Sequence, residues 1–350
     1  MNRGSMQTNR RLFPVAGALV LTTFMGCHRG AAANGDVAPI TRTSVQKAKP
    51  SRAPVSTEDL QKAKVNEAGV VPILEYHDVL PKERSMVRSI DNFKHDLQRL
   101  YEEGYRPVLL RDYLDNKIDL PIGMAPVVFT FDDARASQFR YLPNGDLDPT
   151  CAIGLWQAFA KTHPDFPVKA TFYVLPDVGF GPNAVAGKKL KALLAMGCEI
   201  GNHTVSHPKL SQLSDAKVQQ ELGECVAKIE KLAPGTKVDT VALPMGISPK
   251  NKKLLASGSY NGQTYANRAV LLVGANPAPA PISKRFNPMR LPRIQACEQD
   301  SGSTFWLDRI KNGGMGRYVS DGDPTKTTIP SSLERKCDKT HLNGATLRVY

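Results

Sequence analysis

The chain has 350 residues, 41% of them hydrophobic, and a formal net charge of +13. That length suits one large domain of the barrel or doubly wound kind, or two small ones, with enough apolar content for a sizeable core. The charge favours anionic surroundings, but no zinc-finger spacing, RNA-binding aromatic signature or long Lys/Arg block is present, which argues against nucleic acid as a partner.

Arg3, Arg10 and Arg11 precede "LFPVAGALVLTTF", an apolar run of 13 residues. It is too short to span a bilayer and the right length for the core of a signal peptide. It closes on Gly26-Cys27, which resembles a bacterial lipoprotein processing site, although Phe24 stands where such signals prefer Leu. Residues 1–27 are therefore read as an export signal of lipoprotein type, with Cys27 as the lipidated residue. The expected location is the bacterial cell envelope with a lipid anchor in the membrane; an ordinary cleaved signal and a secreted or periplasmic protein are the alternative.

Residues 28–66 are rich in Ala, Pro, Ser, Thr and Lys without a sustained period, and predict a flexible basic linker. Five cysteines follow Cys27: Cys151, Cys198, Cys225, Cys297 and Cys337. No Cys-x-x-Cys pair occurs, which argues against a zinc ribbon or a thioredoxin-like site. Export permits disulfides, the odd number leaves a thiol over, and Cys297 with Cys337 is the candidate pair.

From Val70 short apolar runs alternate with helical patterns. "VVPILEYH" reads as a strand, and "DNFKHDLQRLYEEG" as a helix that stops at Gly104. "APVVFTF" is a strand, and "DPTCAIGLWQAFAKTHP" a helix with Asp148 as its N-cap and Pro149 in its first turn. "KATFYVL", "CEIGNH", "VDTVAL", "RAVLLVG" and "RLPRIQA" read as further strands. "GKKLKALLAMG", "SDAKVQQELGECVAKIEKLAPG" and the shorter "SPKNKKLLASG" read as helices between them. Repeated β-then-α units predict a parallel sheet covered by helices, and six or seven of them suit a closed or nearly closed barrel. The domain is set at residues 67–300, and residues 301–350 are read as a C-terminal extension over the barrel.

Parallel α/β folds place their sites at the C-terminal ends of the strands. Four strand ends offer such chemistry: His77 after "ILEY", Asp132 and Asp133 after "VVFTF", His203 and His207 in "NHTVSHP", and "LPMG" at 243–246. Two adjacent carboxylates at the end of a buried strand repel each other unless a cation or proton intervenes. Two histidines four residues apart can share one face and one ion, and a third, carboxylate ligand leaves a coordination position open. Asp133, His203 and His207 are thus the candidate metal ligands, Asp132 the candidate for proton transfer, and zinc the default ion.

"TFDD" followed by "HTVSHP" resembles the first two motifs of the polysaccharide deacetylases, carbohydrate esterase family four with its NodB-homology domain. The likeness runs from about Val70 to Ala296. The resemblance implies a distorted (β/α) barrel of about seven parallel strands. It also implies metal-dependent removal of N-acetyl, or sometimes O-acetyl, groups from sugar polymers such as peptidoglycan or poly-N-acetylglucosamine. Position by position it implies Asp132 as catalytic base and Asp133, His203 and His207 as metal ligands. "VALPMG" aligns with the third motif, so that Pro244, Met245 and Gly246 line the groove and the Met245 N–H serves as an oxyanion donor.

Two departures stand out. Ala242 occupies the position where the third motif usually has Arg, and no Asp-Trp fourth motif is present. "ILEYHD" resembles the first strand of a permuted branch in which that His is the catalytic acid, which assigns the role to His77. Arg293 in "LPRIQ" is the candidate replacement for the missing Arg, orienting Asp132.

"GFGPNA" at 179–184 matches a loose dinucleotide pattern, but Pro182 removes an N–H that a phosphate would need, so no nucleotide cofactor is expected. No Gly-x-Ser-x-Gly elbow is present, which disfavours a serine esterase. The alternatives to an N-deacetylase are an inactive barrel that binds polysaccharide, an O-acetyl esterase, or an amidase acting on another substrate.

Overall fold

A computed structural model describes residues 55–181, 183–274 and 276–350. The expected signal peptide with Cys27, and the linker as far as residue 54, lie outside the described residues. Among the described residues no helix is long and apolar enough to cross a membrane.

Seven strands follow one another in chain order around a curled sheet. They are β1 (Ile73–Tyr76), β2 (Ala125–Phe131), β3 (Ala170–Val174), β4 (Glu199–Asn202), β5 (Thr240–Ala242), β6 (Ala269–Leu271) and β7 (Ile294–Gln295). Every pairing from β1 to β6 is parallel, and β7 returns to β1, with Ile294 beside Leu74 and Gln295 beside Glu75. Leu291, just upstream of β7, bridges to Leu271 at the end of β6, its amide donating to Val270 O at 2.9 Å. The fold is the expected distorted (β/α) barrel.

Strand β2 is buried along its whole length, as a strand covered on both faces must be. Its side chains still alternate between two cores. Phe129 and Phe131 pack with Trp156 and Phe93, which come from α2 (Ala152–Thr162) and α1 (Ile90–Glu102). Val128 joins Ile73, Tyr173, Ala242 and Leu271 inside the barrel. Thr130 and Asp132 share the parity of Val128, so the barrel interior ends on a carboxylate. Ser89 caps α1 by accepting from Asn92 N–H at 3.0 Å. Ser214 does the same for Lys217 at the start of the helix Asp215–Leu232.

Several expectations need correction. The linker does not run to residue 66: Thr57–Ala63 is helical, with a capping box between Ser56 and Asp59, and Leu60 and Val65 are buried. Helix α2 starts at Ala152, after Cys151 rather than Asp148; Asp148 instead accepts from Thr150 N–H and Oγ–H in the preceding turn. "SPKNKKLLASG" contains only a 3-10 turn at Lys252–Leu255. Its last residues enter an antiparallel hairpin of Ser257–Tyr260 with Gln263–Ala266.

All five described cysteines are free thiols. Cys297 and Cys337 do not pair, because each belongs to a different neighbourhood. The backbone carbonyl of Cys297 sits by Ser303 at the start of the helix Ser303–Lys311, whereas Cys337 bridges to Ser283 and packs with the interior cluster.

The extension beyond residue 300 packs under the barrel. Tyr318 N–H donates to Val70 O and Ser320 N–H to Met124 O, just before β1 and β2 begin. Lys326–Ile329 pairs in parallel with Thr346–Val349. The extension therefore closes the end of the barrel where strands start, leaving the other end for chemistry.

Candidate metal and acid–base site

At the C-terminal rim a cleft of about 560 Å³ is lined by His77, Asp132, Asp133, His203, His207 and Met245, among others. The sequence-predicted residues thus converge on one place. Asp133 leaves β2 at φ +73° and Ala134 follows at +52°; Thr204, His207 and Met245 are also left-handed. Non-glycine residues rarely adopt this region, and such strain clusters where side chains must be aimed. The left-handed φ of Ala134 is the physical reason a glycine would suit that position.

His203 Nε2 lies 3.3 Å from Asp133 Oδ1, and His207 Nε2 lies 3.7 Å from the same oxygen. The three ligand atoms all fall within 4.8 Å of one another. His203 Nδ1 is 2.9 Å from Ala242 O, a carbonyl that can only accept, so Nδ1 carries the hydrogen. In the neutral ring Nε2 then presents a lone pair. Both Asp133 Oδ1 and His203 Nε2 are buried without a hydrogen-bond partner. Two facing acceptors need a cation between them, a proton or a metal ion. Ligand bonds of about 2.0–2.1 Å in a tetrahedron give ligand–ligand edges of roughly 3.3 Å, so the spacing fits a zinc-sized divalent ion.

The electrostatics of the metal-free site point the same way. Burial raises the Asp133 carboxyl, but the His203 imidazole outweighs it and holds the group well below its ordinary range. Burial lowers His203, yet Asp132 and then Asp133 more than offset it, so its proton is retained to higher pH. His207 is shifted down by burial and by the neighbouring His203 charge.

Asp132 is buried and faces a different partner. Arg293 donates to both its oxygens, Nη1 to Oδ1 at 2.8 Å and Nη2 to Oδ2 at 2.7 Å. Burial pushes the Asp132 carboxyl up, while Arg293 and His203 pull it below its ordinary value, so it is an anion at neutral pH. Arg293 itself is wholly buried inside the barrel. It also donates to Thr130 Oγ1 and Leu272 O, and sits over the Tyr173 ring at 5.8 Å. Ala242 brings no guanidinium to the site; Arg293 does. His203 Nε2 is 3.9 Å from Asp132 Oδ2, so the paired carboxylate stands beside the candidate ion site.

Three further residues complete the arrangement. Arg135 sets Nε and Nη2 at 3.2 and 3.0 Å from Asp133 Oδ2, fixing that carboxylate from the outside. Gln138 donates to the carbonyls of His77 and Asp132, tying the ends of β1 and β2 together. Glu75, in the middle of an apolar strand, is wholly buried beside His77 and Arg293. A charge inside "VVPILEYH" was the available signal for Glu75; Arg135 and Gln138 read as ordinary loop residues. The loop between the histidines is held by Glu221, which accepts from the N–H groups of Val205 and Ser206, each at 2.9 Å. Pro244, Met245 and Gly246 form a short 3-10 turn after β5, and Met245 is exposed on the cleft wall.

Residues 123–266 match the family described as polysaccharide deacetylase. The match takes in Asp132, Asp133, both histidines and Met245, whereas His77, Glu75 and Arg293 come from the flanking segments. Among solved structures, a Bacillus cereus polysaccharide deacetylase is 18% identical, covering 69% of this chain and 68% of that one, with a TM-score of 0.49. IcaB from Ammonifex degensii is 21% identical, covering 67% and 94%, at 0.47. A Bacillus anthracis protein classed with the polysaccharide deacetylases is 20% identical, covering 65% and 64%, at 0.48, so the chain spans just under two thirds of that protein's length.

Proposed function

We propose that this chain, whose residues 123–266 match the polysaccharide deacetylase family, is a divalent-metal hydrolase removing N-acetyl groups from an N-acetylglucosamine-containing envelope or extracellular polysaccharide. The observation that carries the reading is the meeting of Asp133, His203 and His207 ligand atoms within 4.8 Å, with the ionised Asp132 alongside.

In this proposal Asp133, His203 and His207 hold the ion, and zinc is the expected one. The chemistry a divalent cation supplies when held there is Lewis-acid polarisation of a carbonyl and a lowered pKa for water. Asp132, kept anionic and oriented by Arg293, takes the proton from the attacking water. The Met245 N–H donates to the oxygen on which negative charge develops. His77 hands a proton to the departing amine, because an unprotonated amide nitrogen leaves very poorly. The products are acetate and a free amino sugar.

Acetate release from peptidoglycan and from poly-N-acetylglucosamine, with and without chelator, tests this reading. Chelator-sensitive release from either glycan supports it. Metal binding without release from any acetylated glycan would turn the reading to a polysaccharide-binding barrel, and release from O-acetyl or non-sugar amides alone to an esterase or amidase. The leader belongs to the same proposal: lipid attachment at Cys27 would hold the enzyme beside envelope glycan. Mass spectrometry of the membrane fraction, searching for acylated Cys27, checks it.

A further inference from the structure

Glu75 is a carboxylate within the otherwise uncharged, fully buried strand β1. It lies on β1 two residues before His77, and residues two apart on a strand share a face. Ile73 on that face packs in the barrel interior, so Glu75 and His77 both rise along the inner wall toward the cleft. The Glu75 side chain has no exposed surface. Its Oε2 accepts the Gly274 N–H at 2.8 Å and lies 3.4 Å from Arg293 Nε. Its Oε1 is buried with no hydrogen-bond partner and lies 3.9 Å from His77 Nε2.

An orphaned carboxylate oxygen in the interior is costly, and the polar atom it faces shows what it waits for. Glu75, His77 and Asp132 present ligand atoms within 4.8 Å of one another, so a second cation is one candidate. Arg293 already supplies that cation: its guanidinium lies against both Glu75 and Asp132. A divalent ion placed there would meet a fixed positive charge. The remaining candidate is a hydrogen on His77 Nε2.

We propose that Glu75 is a positioning residue for His77, accepting its Nε2–H so that Nδ1 is the nitrogen that exchanges the catalytic proton. The proposal rests on the acid role assigned to His77 above. In the step itself the C–N bond of the tetrahedral intermediate breaks, and its electron pair takes the proton from His77 Nδ1. The neutral ring that remains keeps Nε2–H toward Glu75. The 3.9 Å separation is longer than a hydrogen bond, as such contacts often are before substrate closes the site. Glu75 does not touch the substrate; it decides which tautomer His77 adopts.

The test is the tautomer. Nitrogen-15 histidine spectra of the full-length zinc-loaded protein, with the His77 signals identified by their loss in His77→Gln, should show the Nε2–H form. Glu75→Gln should reverse it. The Gly274 N–H requires the amide oxygen, which leaves the NH2 facing His77 Nε2 and forces the ring hydrogen to Nδ1. With that reversal kcat should fall about a hundredfold at unchanged KM. The double variant with His77→Gln should be no slower than His77→Gln alone. An Nδ1–H ring in the wild type overturns the proposal. So does a Glu75→Gln enzyme with unaltered tautomer and kcat, or one that has lost a bound metal ion. If Glu75→Gln does not fold, the wild-type spectrum still decides. If no glycan is deacetylated, the tautomer result stands apart from the failure of the enzymatic reading.

Discussion

Arg293 and Asp132 form a two-point contact in a fully buried setting, both guanidinium ends on both carboxylate oxygens. The two residues are 161 apart in sequence, one just past β2 and one just before β7, and meet only because the barrel closes. The consequence of the pairing is a carboxylate that is fixed in direction and kept deprotonated, free to receive a proton. Arg293→Lys keeps a charge but loses the fork, and should cut kcat by about tenfold to a hundredfold with little change in zinc affinity. Arg293→Met leaves Asp132 buried and unpaired, and should cost about 3–5 kcal/mol of stability in denaturant unfolding. Asp132→Asn should keep metal binding and abolish turnover. Normal acetate release by that variant would remove Asp132 from the base role.

The two site histidines should give the chelated protein a stability maximum near the ordinary histidine pKa. His207 is shifted down, so between its folded value and about 6.5 the unfolded chain binds more protons and stability rises with pH. His203 is shifted up, so its contribution is complete below about 6.5 and is lost as pH rises through its folded value. Zinc and the proton compete for His203 Nε2. The zinc-loaded protein should therefore not lose stability on the alkaline side, and apparent zinc affinity should rise with pH across that window. Thermal melts from pH 5.5 to 9 with chelator or zinc check this; two parallel curves would exclude His203 as a ligand.

The barrel and its rim were largely legible in the sequence because both depend on local patterns. Apolar runs such as "APVVFTF" mark strands buried on both faces, and helices with readable caps fall between some of them, Ser89 before Ile90–Glu102 and Ser214 before Asp215–Leu232. The acidic pair and the histidines then fall at strand ends without any knowledge of packing. What escaped depends on contacts across long separations or on overlooked turn chemistry. That Glu75 faces His77 while bracing Arg293 requires β7 to lie against β1. The parallel pairing of Lys326–Ile329 with Thr346–Val349 has no local signature. The hairpin at 257–266 did carry a signal: Asn261-Gly262, with φ of +48° and +82°, is the dipeptide that a tight hairpin turn prefers.

Gly201 on β4 is where the barrel lining can be perturbed without altering a charged side chain. A Cβ there would collide with the Tyr173 ring, which lies over Arg293 and donates to Thr240 Oγ1 at 3.2 Å. Gly201→Ala should therefore destabilise the fold by about 1–3 kcal/mol through overpacking. It should also lower kcat by moving the aromatic support of Arg293. A variant with wild-type melting and kinetics would show that the Tyr173 ring can move aside freely.

Arg135 separates orientation from charge at the metal ligands. It holds Asp133 Oδ2 through two nitrogens, but nearly half of its side chain is exposed, so solvent screens the ion pair and its direct contribution to stability is small, below about 1 kcal/mol. Its larger effect is on the aim of Oδ1, the oxygen that faces both histidines. Groups that orient a metal-binding carboxylate typically govern affinity by about tenfold to a hundredfold. Arg135→Ala should thus weaken zinc binding by about tenfold in a chelator competition. The melting temperature of the chelated protein should stay nearly unchanged, and kcat at saturating zinc should remain within a few-fold of wild type. Arg135→Lys, with a single ammonium in place of the fork, should recover only part of the affinity. Unaltered zinc affinity in Arg135→Ala would mean that the left-handed backbone at Asp133 and Ala134 aims the carboxylate by itself.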